Sequence, residues 1–209
     1  MDLNDLVARF PRVWHSTFPK GWDGIQKSGL RSTTDLLASA GREGEVKAVR
    51  TEPVSVSTPD GEATLRNQVP NRKEPGPPVD GMTVEDWWGL LNGRSYLFTV
   101  REDVDAFVDA CLENGVAQEV ITFDTRRLLT DLEDSIDVAT TAAPLYPRTT
   151  GPSRGAKAFT PLGDFTGLST KIKEVSVRTT IPVSDNAVVA VVTREPGAAP
   201  LRLFPPRKS

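Results

Sequence analysis

Helical and strand-like spacings of apolar residues alternate along the chain without a regular period. Leu3, Leu6 and Val7 share one face of a helix predicted over Asn4 to Phe10, and Pro11 stops it. Val13 to Ser16 is a short strand carrying His15 and Ser16, with Thr17 after it. A turn through Pro19 and Gly21 leads into a helix over Trp22 to Ser28, which Gly29 terminates. Ser32 to Asp35 offers N-cap residues for a helix reaching Gly41. Val46 to Val56 is weakly strand-like, Pro59-Asp60-Gly61 is a turn, and Ala63 to Gln68 completes a predicted hairpin.

Pro70 to Asp80 is a loop by composition. Thr83, with Asp86 three residues on, caps a helix over Val84 to Leu91, and a buried strand follows over Ser95 to Val100. Glu102 to Asn114 carries the strongest helical signal: Val104, Phe107, Val108, Cys111 and Leu112 form one stripe, and Gly115 ends it. Ala117 to Phe123 is a strand, and Asp124 caps a short helix that turns Leu128, Leu129 and Leu132 inward. Thr140 to Thr170 lacks periodicity, and loops of that length are either functional or unstructured. Lys173 to Arg178 is a strand with Val175 and Val177 on one face and Glu174, Ser176 and Arg178 on the other. Ala187 to Thr193 is apolar enough to read as a central strand. Gly197 to Ser209 reads as a basic tail, leaving a single domain over 1–196.

Strands and helices are mixed, but βαβ alternation and the glycine-rich phosphate loops are both missing. This favours an α+β fold. A chain of 209 residues suits one domain. It has no apolar run of about 18 residues, so no membrane partner is expected. The opening MDLNDLVARF does not resemble an export signal, and Cys111 is the only cysteine; a cytoplasmic location is expected. No Cys/His spacing suggests a metal site, and Cys111 reads as a small buried apolar residue. The net charge of −3 hides a division. Glu102 to Asp137 holds 11 acids and 2 bases, whereas Thr141 to Ser209 holds 10 bases and 4 acids. The basic third can meet phosphate groups or pair with the acidic middle.

Four places carry candidate chemistry. His15, Ser16 and Thr17 end a strand beside a helix start, a cradle for a small polar ligand; otherwise His15 is a lone histidine satisfied by a backbone carbonyl. Arg66, within Leu65-Arg66-Asn67-Gln68, can clamp a phosphate or carboxylate, or is a solvated loop arginine. Arg154 offers a further anion contact within the long loop. Glu174 can stabilise a developing positive charge or accept a proton, or is a surface glutamate between Lys173 and Arg178.

In their order these elements resemble the ADP-ribosyltransferase superfamily. The opening VWHST followed by IQKSGL, the arginine of RNQ, the turn LNGR, the aromatic strand SYLFTV and the late glutamate of EVSV carry the likeness. They look most like DarT-type bacterial toxins that modify nucleic acid, and related bacterial proteins. The resemblance covers about 10–183. It implies a split β-sheet core with flanking helices and an NAD-dependent mono-ADP-ribosyltransferase acting on nucleic acid, DNA or RNA, as a toxin or anti-phage effector, with an antitoxin as a further partner. It implies that His15, Ser16 and Thr17 hold the NAD ribose, that Arg66 contacts the diphosphate or the reacting centre, and that Tyr96 or Phe98 lines the nicotinamide pocket. Arg154 would add a cofactor contact and Glu174 would be the catalytic carboxylate. An NAD glycohydrolase, a tRNA 2′-phosphotransferase-like enzyme and a silent NAD- or ADP-ribose-binding module share this pattern. Two features depart from it: the second tyrosine of the His-Tyr-Glu class has no clear counterpart, and Ile172 stands two residues before Glu174 where protein-arginine-modifying enzymes carry a second acid or glutamine.

Overall fold

A computed structural model describes residues 1–68, 81–140 and 155–204. The chain opens with α1 (Leu3–Arg9), capped reciprocally by Asp2 and Asp5, and enters β1 (Arg12–Thr17). Helix α2 (Gly21–Ser28) and helix α3 (Thr33–Ser39) follow, and Ser32 and Asp35 form a second capping box on α3. The predicted hairpin is β2 (Val54–Thr58) and β3 (Gly61–Leu65), a two-stranded sheet of its own that is shorter at its start than the apolar pattern suggests. Thr83 caps α4 (Val84–Asn92), and β4 (Ser95–Phe98), α5 (Arg101–Glu113) and β5 (Gln118–Asp124) succeed one another with short turns. Asp124 caps α6 (Thr125–Leu129) as anticipated. The remaining strands are β6 (Ile136–Ala139), β7 (Thr160–Pro161), β8 (Glu174–Val177), β9 (Val188–Arg194) and β10 (Leu201–Phe204).

Eight of these strands form one antiparallel sheet in the order β10-β9-β5-β1-β4-β8-β6-β7, so the α+β class holds. The middle of that sheet is its weakest seam. Strand β1 pairs with β5 through six residues but with β4 through one, Trp14 opposite Phe98. Helices α1, α2 and α6 cover one face around Val13, Leu97, Ile121 and Phe123. Helix α5 covers the other through Val104 and Val108 against Val120.

Five points differ from the sequence reading. Residues 201–204, placed in the tail, pair with β9 as an edge strand; Arg202 lies opposite Val192. Strand β9 therefore lies next to an edge rather than at the centre. Strand β6 had no sequence signal, because its Ile-Asp-Val-Ala buries all four residues, including an acid, and so does not alternate. In β8 the polar positions are buried along with the valines, since β4 and β6 flank it on both sides. Cys111 is a free thiol of intermediate exposure, not a fully buried one.

Candidate functional site

The sheet opens where β1 and β4 part, and a cavity of about 400 Å³ occupies that opening. Its volume lies within the range of about 300–1,000 Å³ typical of small-molecule sites. His15, Ser16, Thr17, Arg66, Tyr96 and Glu174 all line it. His15 and Ser16, consecutive on β1, both line it. A smaller cavity, about 280 Å³, lies by the hairpin among Leu37, Val49, Val54 and Leu65, and of these site residues it holds none.

His15 is anchored at the seam itself. Its Nδ1 lies 2.9 Å from the carbonyl oxygen of Tyr96 on β4. A carbonyl only accepts, so Nδ1 carries the proton and Nε2 is left as an acceptor. Burial, with a smaller push from the Arg66 charge, lowers the imidazole to about 4 against the Tyr96 bond. At neutral pH His15 is uncharged. A backbone carbonyl satisfies one nitrogen, as the plainer sequence reading has it, and the ring lines a ligand-sized cavity.

Arg66 follows β3 and reaches across to β5 and α5. Its guanidinium lies over the rings of Phe18 and Phe107, 4.7 Å and 4.8 Å from their centroids. Nη2 donates to Gln118 Oε1 at 2.6 Å, and Nη1 lies 3.9 Å from Cys111 Sγ. Among the described residues no carboxylate lies within ion-pair distance of Arg66. Burial lowers its pKa from the ordinary arginine value. This is not a solvated loop arginine.

Glu174, the first residue of β8, stands opposite Phe98 on one side and Ala139 on the other and is 7% exposed. The reading of a surface glutamate is overturned. The Tyr96 hydroxyl donates to the Leu91 carbonyl at 3.0 Å, which holds the ring against the end of α4; burial and the Glu174 charge raise the phenol well above its ordinary range. Arg154 lies outside the described residues.

Several contributors carried no sequence signal. Glu119 accepts from the backbone N–H groups of Lys20 (2.7 Å) and Trp22 (2.8 Å), closing the start of α2 where Lys20 takes a left-handed φ of 70° and caps nothing. This fixes the loop that carries Thr17 and Phe18. Gly21 faces Thr17 so closely that a Cβ there would lie 2.3 Å from its Oγ1. Arg50 donates to the Arg66 carbonyl (3.0 Å) and to Asn92 Oδ1 (2.9 Å), which ties the hairpin to α4. The hydrogen bonds of Glu119 and Arg50 join residues 16 to 99 positions apart, and no local pattern reports them.

Part of the charge division is met inside the fold. Lys173 pairs with Asp103 at 3.0 Å, Arg178 approaches Asp137 at 3.5 Å, and Arg194 pairs with Asp109 at 2.6 Å. These three basic residues of the last third are engaged by the acidic middle.

Residues 11–189 match the model of a family of unknown function (DUF7002), and the chain belongs to that family. No curated protein and no solved structure matches it. The matched span includes each cavity residue named above.

Proposed function

We propose that this DUF7002 member is an NAD-dependent ADP-ribosyltransferase whose co-substrate occupies the cavity between β1 and β4. One observation carries the reading. Six residues that the ADP-ribosyltransferase likeness singled out, drawn from positions 15 to 174, line one cavity at the seam of the sheet. The near-parting of β1 from β4 also supports the split-sheet core that the likeness implies.

The residues divide the work by their chemistry. His15 Nε2 accepts from a ribose hydroxyl. Arg66, cationic and without an acid partner among the described residues, takes the diphosphate. Glu174 faces the ribose as the bond from its C1′ to the nicotinamide nitrogen breaks. The electron pair leaves with nicotinamide, the ribose becomes oxocarbenium-like, and a buried carboxylate favours that charge. An acceptor oxygen or nitrogen then bonds to C1′ and loses its proton. The acceptor we propose is nucleic acid.

The test is nicotinamide release from NAD by the purified protein, alone and with single-stranded DNA or RNA. Release stimulated by nucleic acid, with a labelled product, supports transfer; equal release without it indicates NAD hydrolysis. Glu174→Gln is expected to lower release by roughly 10²–10³-fold while ADP-ribose still binds. Unchanged release from that variant would remove Glu174 from the mechanism.

A further inference from the structure

Gln118 opens β5 and is fully buried at 0% exposure, an unusual place for a primary amide. Its orientation is set by its partners. Nε2 donates to the Ala117 carbonyl at 2.7 Å, which only accepts. Oε1 receives Arg66 Nη2 at 2.6 Å and the Ser16 hydroxyl at 3.0 Å. A guanidinium only donates, so the reversed amide would place N–H against N–H. Gln118 thereby joins two cavity residues from different elements, Ser16 on β1 and Arg66 after β3, and aims the Ser16 proton away from the cavity.

The type of group matters as much as its direction. A glutamate would keep the two hydrogen bonds that Oε1 accepts, in nearly the same volume, and would lose only the donation to the Ala117 carbonyl. It would also neutralise Arg66, which meets no other carboxylate among the described residues. A buried cation held by a neutral amide between two phenyl rings keeps its charge for an anion that arrives later.

We propose that Gln118 is a positioning residue of the cavity, holding the Arg66 guanidinium in place while leaving its positive charge uncompensated for the anionic group of the ligand. This deepens the proposed function and rests on it for the identity of that anion as a diphosphate.

The test uses the full chain with Gln118→Glu and Gln118→Met. Inorganic pyrophosphate is titrated by calorimetry, NAD turnover is resolved into kcat and KM, and thermal unfolding is followed for each protein. Gln118→Glu, which keeps two of the three hydrogen bonds, is expected to lose less melting temperature than Gln118→Met, yet to weaken pyrophosphate at least tenfold and raise KM for NAD in parallel with little change in kcat. Gln118→Met removes the hydrogen bonds but not the Arg66 charge. It is expected to lower the melting temperature while weakening pyrophosphate by less than Gln118→Glu does. A merely structural role predicts the opposite order, with affinity lost in step with stability, and that order overturns the proposal. Wild-type protein that binds no pyrophosphate overturns it as well. Wild-type protein that binds pyrophosphate but releases no nicotinamide overturns the transferase reading alone, and the ranking of the two variants still decides the role of Gln118.

Discussion

Arg66 and Arg94 line the same cavity, and each lays its guanidinium over a phenyl ring at 4.7 Å. Their surroundings differ in one respect. Two nitrogens of Arg94 converge on one oxygen of Asp137, at 3.1 Å and 3.0 Å, and a third donates to the Leu90 carbonyl at 2.8 Å. Arg66 meets an amide, a thiol and two rings. The charge of Arg94 is consumed in joining β4 to β6, whereas that of Arg66 meets no carboxylate among the described residues. Lining a cavity is therefore not what separates a ligand-binding arginine from a structural one. The separation lies in whether the fold supplies the counter-charge.

The largest effect that sharpens this contrast is on stability. Arg94→Met strands the Asp137 carboxylate, 2% exposed, leaving Arg178 at 3.5 Å as its one cation among the described residues. Breaking a buried pair from one side costs about 3–5 kcal/mol, and the remaining arginine places the loss near about 3. Urea denaturation is the measurement. A loss below about 1 kcal/mol would show that Asp137 does not depend on Arg94, and the contrast would dissolve.

The same cavity excludes a second cation beside Arg66, and pH reports this. Folded His15 titrates near 4 against an ordinary value of 6.5. Its neutral form is thus favoured by folding. That contribution is complete above about pH 6.5 and is lost as pH falls toward 4, by up to about 3 kcal/mol. Carboxylates add their own acid sensitivity, so the measurement is the difference between wild type and His15→Gln, followed by denaturation between pH 7.5 and 4.5. The variant should show the shallower slope. Equal slopes would mean that the imidazole charges freely in the folded state.

How much of this was legible in the sequence depends on the range of the contact. Helix caps are local, so Ser32, Thr83 and Asp124 were readable from three-residue spacing. The hairpin was readable from its turn. His15 and Glu174 were singled out by their order along the chain, which local physics alone did not supply, and both line the cavity. Gln118 and Arg94 were not singled out, because each takes its role from a partner 43 or more residues away. An amide at the start of a strand and an arginine after a helix look like surface residues until the opposite strand is placed. Strand β6 was missed for the same reason: Asp137 breaks its apolar run, and only the arginines it meets explain an acid there.

The smallest expected effect tests the other side of the contrast. Arg66→Met should change folding stability by less than about 1 kcal/mol, because several terms offset one another. The variant loses two ring contacts and the bond to Gln118. It is relieved of the desolvation cost of a buried cation that no carboxylate among the described residues offset, and a thioether packs well between Phe18 and Phe107. Gln118 Oε1 is not orphaned, since the Ser16 hydroxyl still donates to it at 3.0 Å. Thermal unfolding of Arg66→Met and Arg94→Met, side by side, reads the comparison directly. Two variants equally destabilised would mean that both charges serve the fold. Arg94→Met unfolding early while Arg66→Met melts near wild type, and no longer binds pyrophosphate, would mean that the chain retains Arg66 for a ligand.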